Sequence, residues 1–382
     1  MNPNRIDISK TKHLLPIALL VCVSAVVYFN SLSNGFVYDD LATIVENTHI
    51  KRFGNYLSSF YNPSYFKISG GEASYRPVAT LSYYLLYAVF DVNPFGYHLT
   101  SVVLHILNVI LVYLMAHVIL NHKRPAVMVG LLFACHPVNT EAVNGISYNE
   151  DLIAAFFYFL ALLLYMKRET SAPKQNSLFL ILSLFFFLLG LLSKEMAITL
   201  PAIIVLYDLT LREPTSSKIS IKRVLEVVQE RKYVYLGFLG VSLFYLWLRF
   251  FAIYNPEEVE TQIWGRLIDR VIYLPVLFFK YIKLSLFPLT LNADYVFSYP
   301  TRFFDAGPVI SAVFVLALIV FSFLVFSRSK TTSFGIWWFL VTLFPVYNLI
   351  QIYKPFAERY LYIPLFGLCL VVAIFLEYVM DR

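Results

Sequence analysis

The sequence predicts an all-α fold, a polytopic transmembrane helical bundle, and two observations support this class. Of the 382 residues, 59% are hydrophobic and only 14% are charged, whereas about 25% of the residues in an average soluble domain are charged. A soluble core of this length cannot bury that much apolar surface, but a bilayer replaces water as its solvent. The loops between the apolar runs also differ in the sign of their charge, as expected for the two faces of a membrane.

The apolar runs give the predicted helices in order. They cover residues 14–29, 77–90, 97–120, 125–145, 151–166, 178–192, 196–211, 233–251, 267–288, 309–326, 334–352 and 360–380. Run 14–29 is long for a signal peptide and lacks a clean small-x-small site, so it is predicted to be a retained first span with a cytoplasmic N-terminus. Run 77–90 is too short to cross comfortably and is predicted to lie along the interface.

Charge assigns these runs to the two faces of the membrane. Threaded alternately from a cytoplasmic N-terminus, loops 121–124, 167–174 and 212–232 fall inside and are rich in Lys and Arg. The loops predicted outside are mostly acidic or neutral. The basic residues therefore indicate the orientation of the spans and contact with membrane lipid. The sequence has no basic cluster interleaved with aromatic residues, so it does not predict nucleic-acid binding.

One segment breaks the charge rule. If run 267–288 crosses the membrane, Arg328 and Lys330 fall outside, and if it re-enters or lies on the outer face, they fall inside. Lys280 and Lys283 within the run also suit an interfacial or re-entrant helix better than a lipid-exposed span.

The predicted architecture follows from these assignments. It is a single domain, residues 1–382, of about ten to eleven spans. The long first outer loop, residues 30–96, carries interfacial helices, and residues 267–307 form the re-entrant or interfacial segment.

Ionisable residues gather on the predicted outer face, where such groups are costly and suggest a functional site. The candidates are Asp39, Asp40, Arg76, His136, Glu141, Lys194, Glu195, Asp294 and Arg359. The motifs that carry them also have structural explanations. An acid can cap a helix, His136 can stabilise a proline kink, and Lys194 and Glu195 can pair at a turn. Arg359 can pair with Glu358 or extend to the membrane interface, and Asp294 can be a turn residue. The set is stronger evidence than any member, because all of it falls on one face.

Acids together with cations suggest chemistry on a lipid-linked phosphate. A polyprenyl-phosphate sugar needs an apolar groove for its tail, cations for its phosphate and a carboxylate base for the acceptor hydroxyl. The sequence has no G-x-x-x-x-G-K-[ST] loop and no G-x-G-x-x-G, the recognisable nucleotide-binding loops. No spacing of His, Asp and Glu predicts a metal site. We therefore predict no cofactor, with a divalent metal left as an alternative.

Six segments carry a resemblance to a known family. They are Tyr38-Asp39-Asp40, Tyr75-Arg76-Pro77, Phe95-Gly96-Tyr97-His98, His136-Pro137-Val138-Asn139-Thr140-Glu141-Ala142-Val143, Leu192-Ser193-Lys194-Glu195 and Glu358-Arg359-Tyr360-Leu361-Tyr362-Ile363-Pro364. In this order the chain resembles the membrane domain of the transmembrane and tetratricopeptide-repeat (TMTC) protein O-mannosyltransferases, and more broadly the GT-C glycosyltransferases. The resemblance extends from about Asn34 to Pro364.

The resemblance implies an enzyme that transfers a sugar, mannose or a similar hexose, from a polyprenyl-phosphate donor with inversion. It implies that Asp39 or Asp40 is the catalytic base, with Asp39 favoured. Arg359, Arg76 and Lys194 become candidates for the donor phosphate. His136, Glu141, Glu195 and Asp294 would be further substrate-binding residues.

Other features leave alternatives open. The sequence ends at Arg382 without the family's repeats, so either a protein or a lipid-linked glycan is expected as the acceptor. The expected location is a bacterial cytoplasmic membrane with the site facing outside, and the endoplasmic reticulum is the alternative. A transporter or flippase of a lipid-linked sugar, or a non-catalytic scaffold, are the alternative functions. A transporter would carry its polar sites near mid-membrane, whereas here they lie near one surface.

Overall fold

The structure is a computed structural model that describes residues 10–62, 74–168, 173–212, 221–252, 267–295, 305–348 and 354–382. Within these ranges all regular secondary structure is helical, which confirms the all-α class. The helices are α1 (Lys10–Tyr28), α2 (Ser58–Tyr61), α3 (Pro77–Phe90), α4 (Pro94–Leu120), α5 (Lys123–Cys135), α6 (Thr140–Asn144), α7 (Asn149–Arg168), α8 (Pro173–Leu191), α9 (Leu200–Tyr207), α10 (Ile221–Trp247), α11 (Leu267–Leu286), α12 (Ala306–Phe326), α13 (Lys330–Thr342) and α14 (Leu365–Met380).

Five helical segments in the described part are long and apolar enough to cross a bilayer: His13–Ser33, Pro94–Leu120, Ile146–Arg168, Ile221–Ala252 and Ala306–Phe326. A sixth is added if α5 and the helical stretch after it count as one span bent by 49°. The bend falls where Pro137 cannot donate a helical hydrogen bond. The chain is therefore a multi-pass membrane protein. The predicted ten to eleven spans include shorter apolar helices and stay a prediction.

Helix α4 lies in the core and packs against α1, α5 and α7. Two buried polar residues on it, His105 and Asn108, reach the hydroxyl of Tyr362 at 2.8 and 3.2 Å. Asn108 also donates to the carbonyl of Leu152 on α7, 3.0 Å away. Because buried polar groups require partners, this network fixes the segment before α14 against the core. That segment carries Arg359 to the site.

Helices α13 and α14 cross at two glycines. A Cβ added at Gly335 would lie 2.7 Å from the carbonyl oxygen of Gly367, and one added at Gly367 would lie 2.8 Å from the Trp338 ring. Both distances are shorter than van der Waals contact, so only glycine permits this approach. Small residues at such crossings let helix backbones pack closely inside a membrane.

We expect Gly335→Ala to lower the free energy of unfolding by about 1–3 kcal/mol, because the added methyl group must push the helices apart. Thermal unfolding of the purified protein in detergent measures the effect. Gly240→Ala in α10 is the matched control, since an added Cβ there meets nothing within 4 Å. Equal midpoints for both variants would mean that the crossing tolerates separation.

Helix α11 touches two segments that are predicted to face outside. Near its start, Arg270 donates to the carbonyl of Asn348 at 3.4 Å. Near its end, the carbonyl of Ser285 lies 2.9 Å from Nε2 of His136. A spanning helix places its ends on opposite faces, so these contacts support the interfacial alternative. It stays a prediction that a labelling experiment tests.

The side of the membrane on which the turn between α12 and α13 lies shows whether α11 crosses the membrane. Ser329 caps α13 by accepting the amide of Thr332, so a reporter cysteine belongs at the exposed Ser327. In a background without native cysteines, we expect Ser327→Cys to react with a membrane-impermeant maleimide only after the membrane is opened. Gly54→Cys serves as the outer control and His122→Cys as the inner one. Labelling of Ser327→Cys in intact cells would mean that α11 crosses the membrane.

Candidate active site

The first outer loop orients its two acids differently. Asp40 is buried, and one carboxylate oxygen accepts the amide and the hydroxyl of Ser147, both at 2.8 Å. The other oxygen accepts the amide of Val37 at 3.1 Å. Between Val37 and Asp40, Tyr38 adopts a left-handed backbone conformation with φ of 49°, which turns the chain. Asp40 therefore fastens the loop to the turn before α7.

Asp39 is the exposed member of the pair. Its carboxylate accepts one long hydrogen bond, 3.5 Å, from the hydroxyl of Tyr148. A carboxylate with one weak partner keeps its lone pairs available to another proton donor. The two adjacent acids thus divide into one that holds the loop and one that can take a proton.

Both acids line a cavity of about 410 Å³, which falls within the usual range of small-molecule sites, about 300–1,000 Å³. Its walls come from the first outer loop, the stretch from α6 to the start of α7, and the segment after α11. The lining residues are Asn34, Gly35, Val37, Tyr38, Asp39, Asp40, Thr140, Glu141, Asn144, Gly145, Tyr148, Leu291, Asn292, Ala293 and Glu358. Carboxylates, amides and a phenol among them can bind hydroxyl groups.

Arg359 contacts two residues that line this cavity, Glu141 and Tyr148. Its guanidinium forms an ion pair with Glu141, and its amide donates to the same carboxylate at 2.8 Å. The guanidinium carbon also lies 4.1 Å from the centre of the Tyr148 ring, within the range of a cation–π contact. Tyr148 therefore contacts both the acid Asp39 and the cation Arg359.

Glu358 attaches the segment after α11 to the site. One oxygen of its buried carboxyl accepts the amide of Asn292 at 2.7 Å and the hydroxyl of Tyr295 at 2.6 Å. Burial raises the pKa of Glu358 above its ordinary value. Glu358 lines the cavity and holds the segment after α11 against it.

A second group of charges, here called the outer charge cluster, adjoins Arg359. It contains Arg76, Glu150, Asp151, Lys194, Glu195 and Arg249. Tyr360 joins it to the first group, because its ring centre lies 5.1 Å from the guanidinium carbon of Arg359 and 5.8 Å from Nζ of Lys194. The candidate site therefore extends continuously from Asp39 to the outer charge cluster.

Two acids at the start of α7, the buried Asp151 and the partly buried Glu150, hold the cluster together. Lys194 donates to Glu150 at 2.9 Å and to Asp151 at 2.6 Å. Arg76 donates to both oxygens of Glu150 at 2.7 Å. The amide of Val78 donates to the carbonyl of Leu192 at 3.1 Å, which brings the Arg76 step beside the Lys194 turn. Acids at a helix N-terminus also interact favourably with its dipole.

Glu195 lies between two arginines. Arg76 donates to it through Nε and Nη2, at 3.2 and 2.6 Å, and Arg249 donates at 3.2 Å. Burial raises the pKa of the Glu195 carboxyl, but the two guanidinium charges outweigh burial and hold the pKa below its ordinary value. Glu195 is therefore ionised, and the cluster balances three cations with three carboxylates.

The structure brings seven of the nine predicted site residues together. His136 and Asp294 neither line the cavity nor belong to the ion pairs of Arg359 and of the outer charge cluster. The His136 ring accepts the amide of Val138 at 3.3 Å and donates to Ser285, so it stabilises the bend after α5. Asp294 pairs with Lys354 at 2.7 Å on the exposed surface. Their role in substrate binding stays a prediction.

The predicted set lacks several contributors to the site, among them Glu150 and Asp151 at the start of α7 and three residues with weaker signals, Ser147, Tyr148 and Arg249. Ser147 and Tyr148 lie in an unremarkable turn, and only the fold shows that they contact the acids of the first loop. Arg249 sits at the end of the apolar run 233–251, where a lone arginine was the available signal. In the part of the chain that the structure describes, no three or more His, Cys, Asp or Glu are grouped to hold a metal ion.

The fold has relatives among solved structures. The Archaeoglobus fulgidus oligosaccharyltransferase tethered to an acceptor peptide superposes with a TM-score of 0.52 and 15% identity, covering 98% of this chain and 50% of that one. Oligosaccharyltransferase AglB of the same organism, in complex with an inhibitory peptide and a dolichol-phosphate, gives 0.50 and 14%, covering 97% and 51%. The chain therefore has the GT-C membrane fold.

Sequence comparison is more specific. Residues 75–228 match the family model described as dolichyl-phosphate-mannose-protein mannosyltransferase. Protein O-mannosyl-transferase Tmtc1 of Drosophila melanogaster is 32% identical over 330 residues, 81% of this chain and 38% of that protein. Human TMTC2 is 34% identical over 233 residues, 58% of this chain and 26% of that protein. The chain is a GT-C superfamily member that resembles the membrane domain of the TMTC proteins, and it spans less than half of their length.

Proposed function

We propose that this protein is a membrane glycosyltransferase that moves a hexose from a polyprenyl-phosphate donor to a hydroxyl acceptor on the outer face, with inversion. The observation that carries the proposal is the exposed carboxylate of Asp39 on the wall of a hydroxyl-binding cavity that adjoins partly buried cations. A base and a phosphate site side by side are what this transfer requires.

In the proposed reaction, Asp39 takes the proton of the acceptor hydroxyl. The oxygen attacks the anomeric carbon from the face opposite the phosphate, the bond to the phosphate oxygen breaks, and polyprenyl phosphate leaves with the electron pair. One displacement inverts the anomeric configuration. Asp40 acts by positioning the loop, since its own lone pairs are occupied by Ser147 and Val37.

The donor phosphate is assigned to the cations Arg359, Arg76 and Lys194. Arg359 lies between the cavity and the outer charge cluster, to which Arg76 and Lys194 belong. Guanidinium groups bind phosphate through paired hydrogen bonds. Their described partners include carboxylates, which supports an assignment of these positions to an anion. The exposed apolar faces of the surrounding helices leave the lipid tail in contact with the bilayer.

The matched family and the named relatives support mannose as the sugar and a protein as the acceptor. A lipid-linked glycan is the second acceptor to test. We propose a bacterial cytoplasmic membrane as the location, with the site facing outside, and the endoplasmic reticulum membrane as the alternative.

The test incubates the purified protein with a radiolabelled donor, polyprenyl-phosphate mannose or glucose. A peptide or a lipid-linked glycan is added as the acceptor. We expect label to move from the donor to a hydroxyl acceptor with the opposite anomeric configuration. Mass spectrometry of glycans and glycoproteins from cells lacking the protein identifies the natural acceptor. If no acceptor is labelled and liposomes instead show donor crossing the bilayer, the protein is a flippase.

A further inference from the structure

The outer charge cluster contains one acid that differs from the other two. Glu150 and Asp151 are anchored in the first turn of α7, with side chains 14% and 5% exposed. The Glu195 side chain is 30% exposed and begins a short 3₁₀ helix, Glu195–Thr199. Its described hydrogen bonds, like those of Glu150 and Asp151, go to side chains and to no backbone group. Glu195 is therefore the most exposed acid of the cluster, and its side chain can leave by rotating toward solvent.

The space that Glu195 fills has the chemistry of a phosphate site. Arg76 donates through Nη2 to Oε1 and through Nε to Oε2 of the carboxylate, and Arg249 donates through Nη1 to Oε2 as well. Carboxylate and phosphate oxygens accept from the guanidinium fork in the same paired geometry. Arg249 is also held by the hydroxyl of Tyr245 at 3.0 Å, so it stays in place when its anion changes.

We infer that Glu195 is an internal stand-in for the lipid phosphate, and that Arg249 is a phosphate ligand alongside Arg76. In the empty protein the Glu195 carboxylate neutralises the two arginines, which are 17% and 8% exposed. An incoming polyprenyl phosphate displaces the carboxylate, and the same carboxylate returns as the product lipid leaves. This inference rests on the proposed function, because it names how that site binds and releases its donor.

Charge balance supports the exchange. Arg76 also pairs with Glu150, but the described carboxylate partner of Arg249 is Glu195, so leaving this nearly buried guanidinium without an anion would be costly when no donor is bound. Retaining that carboxylate while a phosphate enters would place two anions together, so the bound site must expel it. The acid thus lowers donor affinity and keeps the product from binding too tightly.

The deciding variant is Glu195→Gln, which keeps the size of the side chain and removes the competing charge. We expect undecaprenyl phosphate to bind the purified variant about tenfold more tightly, the effect of losing a charged hydrogen-bonded competitor. We also expect stronger inhibition by added undecaprenyl phosphate during repeated turnover. Arg249→Lys, which keeps the charge but loses the fork, is expected to weaken binding several-fold.

Glu377→Gln is the matched control, because Glu377 pairs with Arg124 at 3.8 Å and its side chain is 26% exposed. We expect this variant to bind undecaprenyl phosphate as the native protein does. Phosphatidylglycerol and inorganic phosphate are titrated in parallel, and the gain at Glu195 is expected for the polyprenyl lipid alone. Unchanged or weaker binding by Glu195→Gln, or an equal gain for all three anions, overturns the inference.

The two proposals fail separately. If Glu195→Gln binds no tighter while Asp39→Asn abolishes transfer, the glycosyltransferase stands and Glu195 is only a structural partner of the arginines. If Glu195→Gln binds tighter while Asp39→Asn keeps full transfer, the phosphate site stands and the assignment of the base is wrong.

Discussion

Asp39→Asn is expected to reduce the rate of sugar transfer by about 10²–10⁴-fold, the usual contribution of a general base. A neutral amide cannot accept the proton of the acceptor hydroxyl, and the exposed Asp39 side chain makes only one long contact, with Tyr148. Donor affinity and thermal stability are therefore expected to stay unchanged. The measurement is the initial rate with saturating polyprenyl-phosphate sugar, together with the unfolding midpoint.

Asp305→Asn provides the control, since Asp305 is an exposed acid just before α12 that makes no capping hydrogen bond. We expect this variant to retain the native rate. Full activity of Asp39→Asn would remove the assignment of the base, whereas a lowered unfolding midpoint would show that Asp39 supports the fold.

Asp40→Asn separates positioning from catalysis. The new side chain has one oxygen and one NH₂ group. If the oxygen accepts from Ser147, the NH₂ group faces the backbone amide of Val37. If the oxygen accepts from Val37, the NH₂ group faces the donors of Ser147. A buried donor left without an acceptor costs about 1–3 kcal/mol. We expect this variant to lose both stability and transfer, whereas Asp39→Asn loses transfer alone.

The fold class followed from the sequence because bilayer solvation leaves a strong signature in composition. The sequence also predicted that the ionisable candidates lie on one face, because loop charges orient the spans, and the structure brings seven of the nine close together. The sequence did not reveal which charges meet. Asp40 and Ser147 are 107 positions apart, and their hydrogen bonds depend on how α4 and α7 pack.

Two assignments show the limit of reasoning from unusual residues alone. His136 is an ionisable group inside an apolar run, which predicted a functional role, but its ring forms hydrogen bonds with backbone groups at a bend. Arg249 was not among the predicted site residues, although it pairs with Glu195, 54 positions away in the sequence. A polar residue in an apolar run needs a partner, and sequence alone does not tell whether that partner is backbone, side chain or substrate.

Arg359→Ala is expected to have the second large effect. The variant leaves Glu141 as a buried carboxylate without its ion pair, since the two side chains are only 10% and 7% exposed. Removing one partner of a buried pair costs about 3–5 kcal/mol. It also removes the cation beside Tyr148, on the path between the base and the outer charge cluster. We expect a large fall in the unfolding midpoint and at least a tenfold weaker affinity for undecaprenyl phosphate, about 1.4 kcal/mol.

A double variant separates these two effects. Arg359→Met with Glu141→Gln removes both charges, and replacing a whole buried pair is often neutral or stabilising. We therefore expect it to recover most of the unfolding midpoint while donor binding stays weak. Recovery of both properties would show that Arg359 serves Glu141 alone and that the phosphate is held entirely by the outer charge cluster. Recovery of stability without binding would place Arg359 on the donor phosphate, because removing the negative charge of Glu141 does not weaken the attraction of an anion, whereas removing the cation does.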